Sequence, residues 1–160
     1  MIRFAISTCS VPANPAARLA ASGDVHRDGP AGAFGSDRHS ERLLGKRVLV
    51  VEDEALLALD LQYAFEDAGA EVLGPALSLM QALEAVAHSS AIDMAVLDVD
   101  LGGEDVYPIA EILLQRRVPF VFHTGHGSRS ELTQLFPGTI TLMKPTLPEV
   151  LIDHLLRLSR

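Results

Sequence analysis

The chain has 160 residues, 48% of them hydrophobic and 21% charged, with a net charge of −8 and a pI near 5.1. That apolar share can fill a sizeable core, while the acidity argues against a nucleic-acid surface, which needs a basic patch. The one cysteine, Cys9, cannot close an internal disulfide, and no apolar run approaches the ~20 residues needed to span a bilayer.

Composition changes near residue 45. Residues 1–45 are rich in Ala, Gly, Ser, Pro and Arg without sustained periodicity, so they are expected to be a disordered extension or a mis-assigned start. Met1 to Val11 is too short and too polar for a signal peptide, and the folded part, residues 46–160, is expected in the cytoplasm. That part holds eight Lys/Arg and seventeen Asp/Glu, so the acidity belongs to it.

In chain order, Arg47 to Val51 is a β-branched apolar run and predicts a buried strand. Glu54 to Ala68 predicts a helix with Leu56, Leu57, Leu61, Ala64, Phe65 and Ala68 on its apolar face, ended by Gly69. Glu71 to Leu73 predicts a second strand closed by Gly74-Pro75. Ser78 begins a helix to about His88, with Gln81 as capping-box partner. Ile92 to Leu97 predicts a third strand running into Asp98, and Asp105 to Gln115 a helix with Ile109, Ile112 and Leu113 facing inward. Phe120 to Phe122 and Ile140 to Met143 predict the last two strands, separated by a weak helical stretch from Ser128 to Phe136. Thr146 is expected to cap a final helix to Leu158, with Glu149 completing the box and Pro148 in its first turn.

Alternation of strands and helices predicts an α/β fold with a doubly wound parallel sheet covered on both faces, and ligands at the carboxyl ends of the strands. At those ends stand Glu52-Asp53, Asp98 with Val99-Asp100, Thr124, and Lys144-Pro145. Carboxylates brought close together repel unless a cation joins them, and a hard divalent ion such as Mg²⁺ suits oxygen ligands. A hydroxyl and an ammonium opposite suit a phosphoryl group. Each feature alone has a plainer reading: a helix N-terminus favouring acid, a turn aspartate, a surface lysine. Their joint placement favours chemistry.

In order, spacing and strand context, Glu52-Asp53, Asp98, Thr124 and Lys144-Pro145 resemble the receiver domain of two-component response regulators, over residues 46–160. The resemblance implies a five-stranded flavodoxin-like sheet in the order 2-1-3-4-5, which chemotaxis receivers share. It implies phosphorylation of Asp98 by a histidine kinase or phosphotransfer protein. Mg²⁺ would be held by Glu52, Asp53, Asp98 and the Asp100 main-chain carbonyl. Thr124 and Lys144 would contact the phosphoryl group, and the Lys144–Pro145 bond would be cis. The output would be a protein target met through the fourth strand, fourth helix and fifth strand, or the domain would serve as a phosphate sink, with no direct contact to nucleic acid or membrane. Such a domain is a phosphoacceptor with at most slow self-dephosphorylation, not an enzyme.

Two departures qualify the pattern. Many receivers carry an aromatic residue three positions before the lysine, where this chain has Thr141. The run Pro119-Phe120-Val121-Phe122-His123-Thr124-Gly125-His126 resembles a Phe-Ala-Thr-Gly-Tyr-like subclass of alphaproteobacterial receivers that often stand alone, with His123 and His126 in place of its Ala and aromatic residue. The spacing His123-x-x-His126 does not by itself make a metal pair. The rival reading is a haloacid-dehalogenase-like phosphohydrolase using Asp98 of Asp98-Val99-Asp100. In that family the motif follows the first strand, and here it follows the third.

Overall fold

The computed structural model describes residues 41–125 and 129–160, with the backbone alone for Arg129 and Ser130. Five strands alternate with five helices: β1 Arg47–Val51, α1 Ala55–Asp67, β2 Glu71–Ala76, α2 Leu79–His88, β3 Met94–Leu97, α3 Tyr107–Gln115, β4 Phe120–Thr124, α4 Arg129–Leu135, β5 Ile140–Met143 and α5 Pro148–Leu158. All pairings are parallel and the order is β2-β1-β3-β4-β5, as expected.

Side chains alternate across the sheet because a strand has a period of two. Leu49 and Val51 of β1 join Ala95, Leu97, Phe120 and Phe122 on the face covered by α2, α3 and α4, through Ala82, Val86, Ile109, Leu113, Leu132 and Phe136. Val48, Val50, Met94, Val96 and Val121 face the other way, against Leu61 and Phe65 of α1 and Leu151, Ile152 and Leu155 of α5. The three central strands are buried on both faces, which explains their unbroken apolar runs. Beneath α4, Phe136 packs against Tyr107, Phe122 and Phe120, with ring centroids 5.5, 5.4 and 6.5 Å away.

Four local expectations change. The boundary placed at residue 45 falls inside the packed unit. Residues 41–45 form a turn in which Leu43 is fully buried, its amide donates to the Ala68 carbonyl at 2.8 Å, and Arg42 pairs with Asp153. A leucine pair in a polar stretch carries no periodic signal, so the burial of Leu43 was invisible; residues 1–40 lie outside the described residues. The second strand is not closed by Gly74-Pro75 but continues through their cis bond to Ala76, and β1 shifts register between Leu49 and Val51 to accommodate it. Gly74 has φ of 100°, and a Cβ there would lie 2.6 Å from the Ala76 nitrogen and 2.9 Å from the Val50 carbonyl oxygen, so only glycine fits.

On α1 the buried residues are Ala58, Leu61 and Phe65, while Leu56 is exposed. Thr146 does not cap α5. Its hydroxyl donates back to the Met143 carbonyl, and Leu147 stands at the cap without a side-chain bond. By contrast Ser78 does cap α2, accepting from the Gln81 amide at 3.3 Å, while the Gln81 side chain accepts from the Leu77 amide at 2.8 Å.

Candidate acidic and lysine site

Every strand that supplies the site ends at the same edge because the sheet is parallel. The Asp98 amide donates to the Val51 carbonyl at 2.8 Å, which sets Asp98 beside the end of β1, where Glu52 and Asp53 follow. The Lys144 amide donates to the Thr124 carbonyl at 2.9 Å, which joins the end of β4 to the start of the loop after β5. Asp53, Glu54, Asp98, Asp100, Thr124, Gly125 and Lys144 line a cleft of about 190 Å³. The Lys144–Pro145 bond is cis.

Lys144 Nζ donates to Asp98 Oδ2 at 2.6 Å and to Glu52 Oε1 at 2.7 Å, and lies 3.5 Å from Glu54 Oε1. Asp98 Oδ1 accepts from the Val99 amide at 2.6 Å, fixing the carboxylate. The Asp100 carboxylate accepts from the Gly103 amide at 2.6 Å, bracing the loop that forms the cleft wall. Burial raises the Glu52 carboxyl to about 7; the hydrogen bond from Lys144 opposes this and the Asp98 charge adds to it. Burial works to lower the Lys144 amine, but its bonds to Asp98 and Glu52 outweigh this and hold it above its usual value, so it is a fixed ammonium.

Glu52, Asp53 and Asp98 can place one carboxylate oxygen each within 4.8 Å of one another, a hard-oxygen set that suits a divalent cation. Glu52 Oε2 is buried without a hydrogen-bond partner, an orphaned acceptor that a cation would satisfy. The structure thus brings Glu52, Asp53, Asp98, Asp100, Thr124 and Lys144 to one cleft edge. Glu54 is the addition: read from sequence only as the start of a helix, it is a third carboxylate on Lys144, signalled by the acidic run Glu52-Asp53-Glu54.

Nearby, His123 of β4 is 1% exposed with no hydrogen-bond partner at either ring nitrogen. Burial, assisted by the Lys144 charge, lowers its imidazole to about 4, so it is neutral. His126, the other member of the His123-x-x-His126 spacing, lies outside the described residues. Among the described residues, the acid cluster at Glu52, Asp53 and Asp98 is the group that could hold a metal ion. No helix there is long and apolar enough to cross a membrane.

No protein-family model matches the chain. It is 30% identical over 96 residues to the transcriptional regulatory protein PdtaR of Mycobacterium tuberculosis, covering 59% of this chain and 46% of that protein. It is 27% identical over 88 residues to the phyllosphere-induced regulator PhyR of Methylorubrum extorquens, covering 54% of this chain and 33% of that protein. The chain thus spans less than half the length of these curated relatives. Its fold superposes on the crystal structure of a response regulator receiver protein from Sinorhizobium medicae WSM419 with a TM-score of 0.62 and 28% identity, over 71% of this chain and 94% of that one. The fold is that of a response-regulator receiver domain. The phosphohydrolase alternative gains no support: Asp98-Val99-Asp100 follows β3, and the superposed chain is a receiver.

Proposed function

We propose that this domain accepts a phosphoryl group on Asp98 from a histidine kinase or phosphotransfer protein, and signals by protein contact or drains phosphate from that partner. One observation carries the reading: a fixed ammonium, Lys144, lies 2.6 Å from the Asp98 carboxylate in a cleft shared with three further acids, Asp53, Glu54 and Asp100. An Asp98 carboxylate oxygen attacks the phosphorus of the donor's phosphohistidine. The P–N bond breaks, and its electron pair stays on the imidazole nitrogen. Such transfer is mostly positioning and electrostatics, and these residues supply both.

Lys144 exchanges its bond to Asp98 for one to a phosphoryl oxygen. Thr124, at the cleft edge, contacts a second oxygen. Glu52, Asp53, Asp98 and the Asp100 main-chain carbonyl would hold Mg²⁺. When bound, Mg²⁺ supplies the positive charge that lets the anionic acid cluster and an anionic phosphoryl group meet.

The product carries a charge of about −1.5 to −2 where the carboxylate carried −1, adds three acceptor oxygens, and biases a two-state element. With Thr141 at the position many receivers fill with an aromatic residue, the readout falls to residues 124–138 and the β4–α4–β5 surface, where a downstream protein would dock. Residues 126–128 of that stretch lie outside the described residues. The run Phe122-His123-Thr124-Gly125 at the end of β4 supports assignment to the Phe-Ala-Thr-Gly-Tyr-like subclass. A cytoplasmic setting accords with the donor chemistry.

The test is intact-mass analysis after incubation with acetyl phosphate. A gain of one phosphate that requires Mg²⁺, is released by hydroxylamine and is absent in Asp98→Asn is expected. Steady phosphomonoester hydrolysis instead would mean an enzyme.

A further inference from the structure

Lys144 is held by three carboxylates of very different exposure. The side chains of Glu52 and Asp98 are 1% and 6% exposed, whereas that of Glu54 is 69% exposed. Glu54 therefore forms the solvent side of the ammonium's surroundings and lines the cleft mouth. It stands at the N-cap of α1, where a side chain ordinarily accepts from the helix amides, yet it makes no cap bond and lies instead 3.5 Å from Lys144. Its own amide donates to Glu52 Oε1 at 3.3 Å, which fixes its backbone beside the site.

We propose that Glu54 is a positioning residue at the rim, which competes with an incoming phosphoryl group for Lys144 and repels small anionic donors. Small anionic donors then bind the site a few-fold more weakly than they would without this charge, which favours a donor that a docked protein holds in place. This rests on the reading of Asp98 as phosphoacceptor. For a small donor such as acetyl phosphate, the step is attack of the Asp98 carboxylate on phosphorus, with cleavage of the P–O bond to the acetyl group. Acetate departs with the electron pair, and no proton is required. To be attacked, the doubly charged donor must pass Glu54 and take its place on Lys144. A like charge at a few ångströms in a partly solvated cleft is worth a few-fold in affinity, and salt weakens it.

The experiment measures initial phosphorylation rates against acetyl phosphate concentration at saturating Mg²⁺ for the full chain, E54Q and E54D, at low and high ionic strength. Mg²⁺ binding is measured in parallel by calorimetry. The glutamine variant is expected to lower the half-saturating donor concentration about three- to ten-fold with the saturated rate within about two-fold. The difference should shrink at high salt, and E54D, keeping the charge with a shorter reach, should fall between. Mg²⁺ binding should change in the opposite sense, weakening slightly in E54Q, because an anion near a cation site has been removed.

A damaged site would weaken both, so the opposite signs separate a rim charge from a structural role. An unchanged or raised half-saturating concentration in E54Q, with Asp98 still labelled, would overturn the role of Glu54 and leave the phosphoacceptor reading intact. Absence of any Mg²⁺-dependent label on the unsubstituted chain would overturn both.

Discussion

At one edge of the sheet a largely covered lysine and a fully buried histidine are stabilised in opposite ways. Lys144 keeps its charge, because Asp98 and Glu52 offer two short hydrogen bonds. His123, on the strand next to it, loses its charge and makes no bond at either ring nitrogen. A charge can stay buried only when it is paired, and an imidazole can instead release its proton. The paired group is the one placed to do chemistry. The unpaired one is packed within the core edge as an apolar ring.

The largest expected break in this contrast is Lys144→Ala. It leaves Glu52 and Asp98 buried against each other, so thermal or urea unfolding in EDTA should show a loss of about 3–5 kcal/mol. Added Mg²⁺ should recover part of it by restoring a cation among the acids. A loss that Mg²⁺ cannot touch would mean that the lysine stem, not its charge, holds the edge together.

Leu43→Ala supplies an apolar benchmark. Its buried side chain should cost about 2–4 kcal/mol, with no dependence on Mg²⁺. A near-zero cost would detach residues 41–45 from the folded unit.

The smallest effect is on His123, and it is set by pH. In the unfolded chain the imidazole titrates near 6.5, in the folded chain near 4. Between these values the unfolded state binds a proton that the folded state refuses, so stability falls as pH falls through this window and the penalty is complete below about 4. In His123→Leu that penalty disappears. Relative to the unsubstituted chain it should change little at pH 7.5 and gain up to about 3 kcal/mol by pH 4. Parallel pH curves for the two chains would show that His123 is protonated in the fold or exposed.

The layout of the site was legible because its residues stand at strand ends, and strand ends are where an apolar run stops. Glu52-Asp53, Asp98, Thr124 and Lys144 all interrupt such runs, and parallel pairing brings them together without any long-range information. What was not legible depended on packing between distant segments. Leu43 owes its burial to α1 and α5. Gly74-Pro75 reads as a stop, yet here a left-handed glycine and a cis bond carry the strand onward. Thr146 has the residue type and spacing of a cap but spends its hydroxyl on the turn behind it. His123 is polar by type and core by position, and only the neighbours on both sides of β4 decide that.

Whether the paired acid beside Lys144 is the group that reacts is tested most directly by treating the full chain with acetyl phosphate and Mg²⁺, reducing with borohydride, and sequencing the peptides by mass spectrometry. An acyl phosphate on Asp98 would be reduced to homoserine at position 98 alone, and the conversion would vanish without Mg²⁺. Homoserine at another aspartate, with Asp98 unmodified, would contradict it.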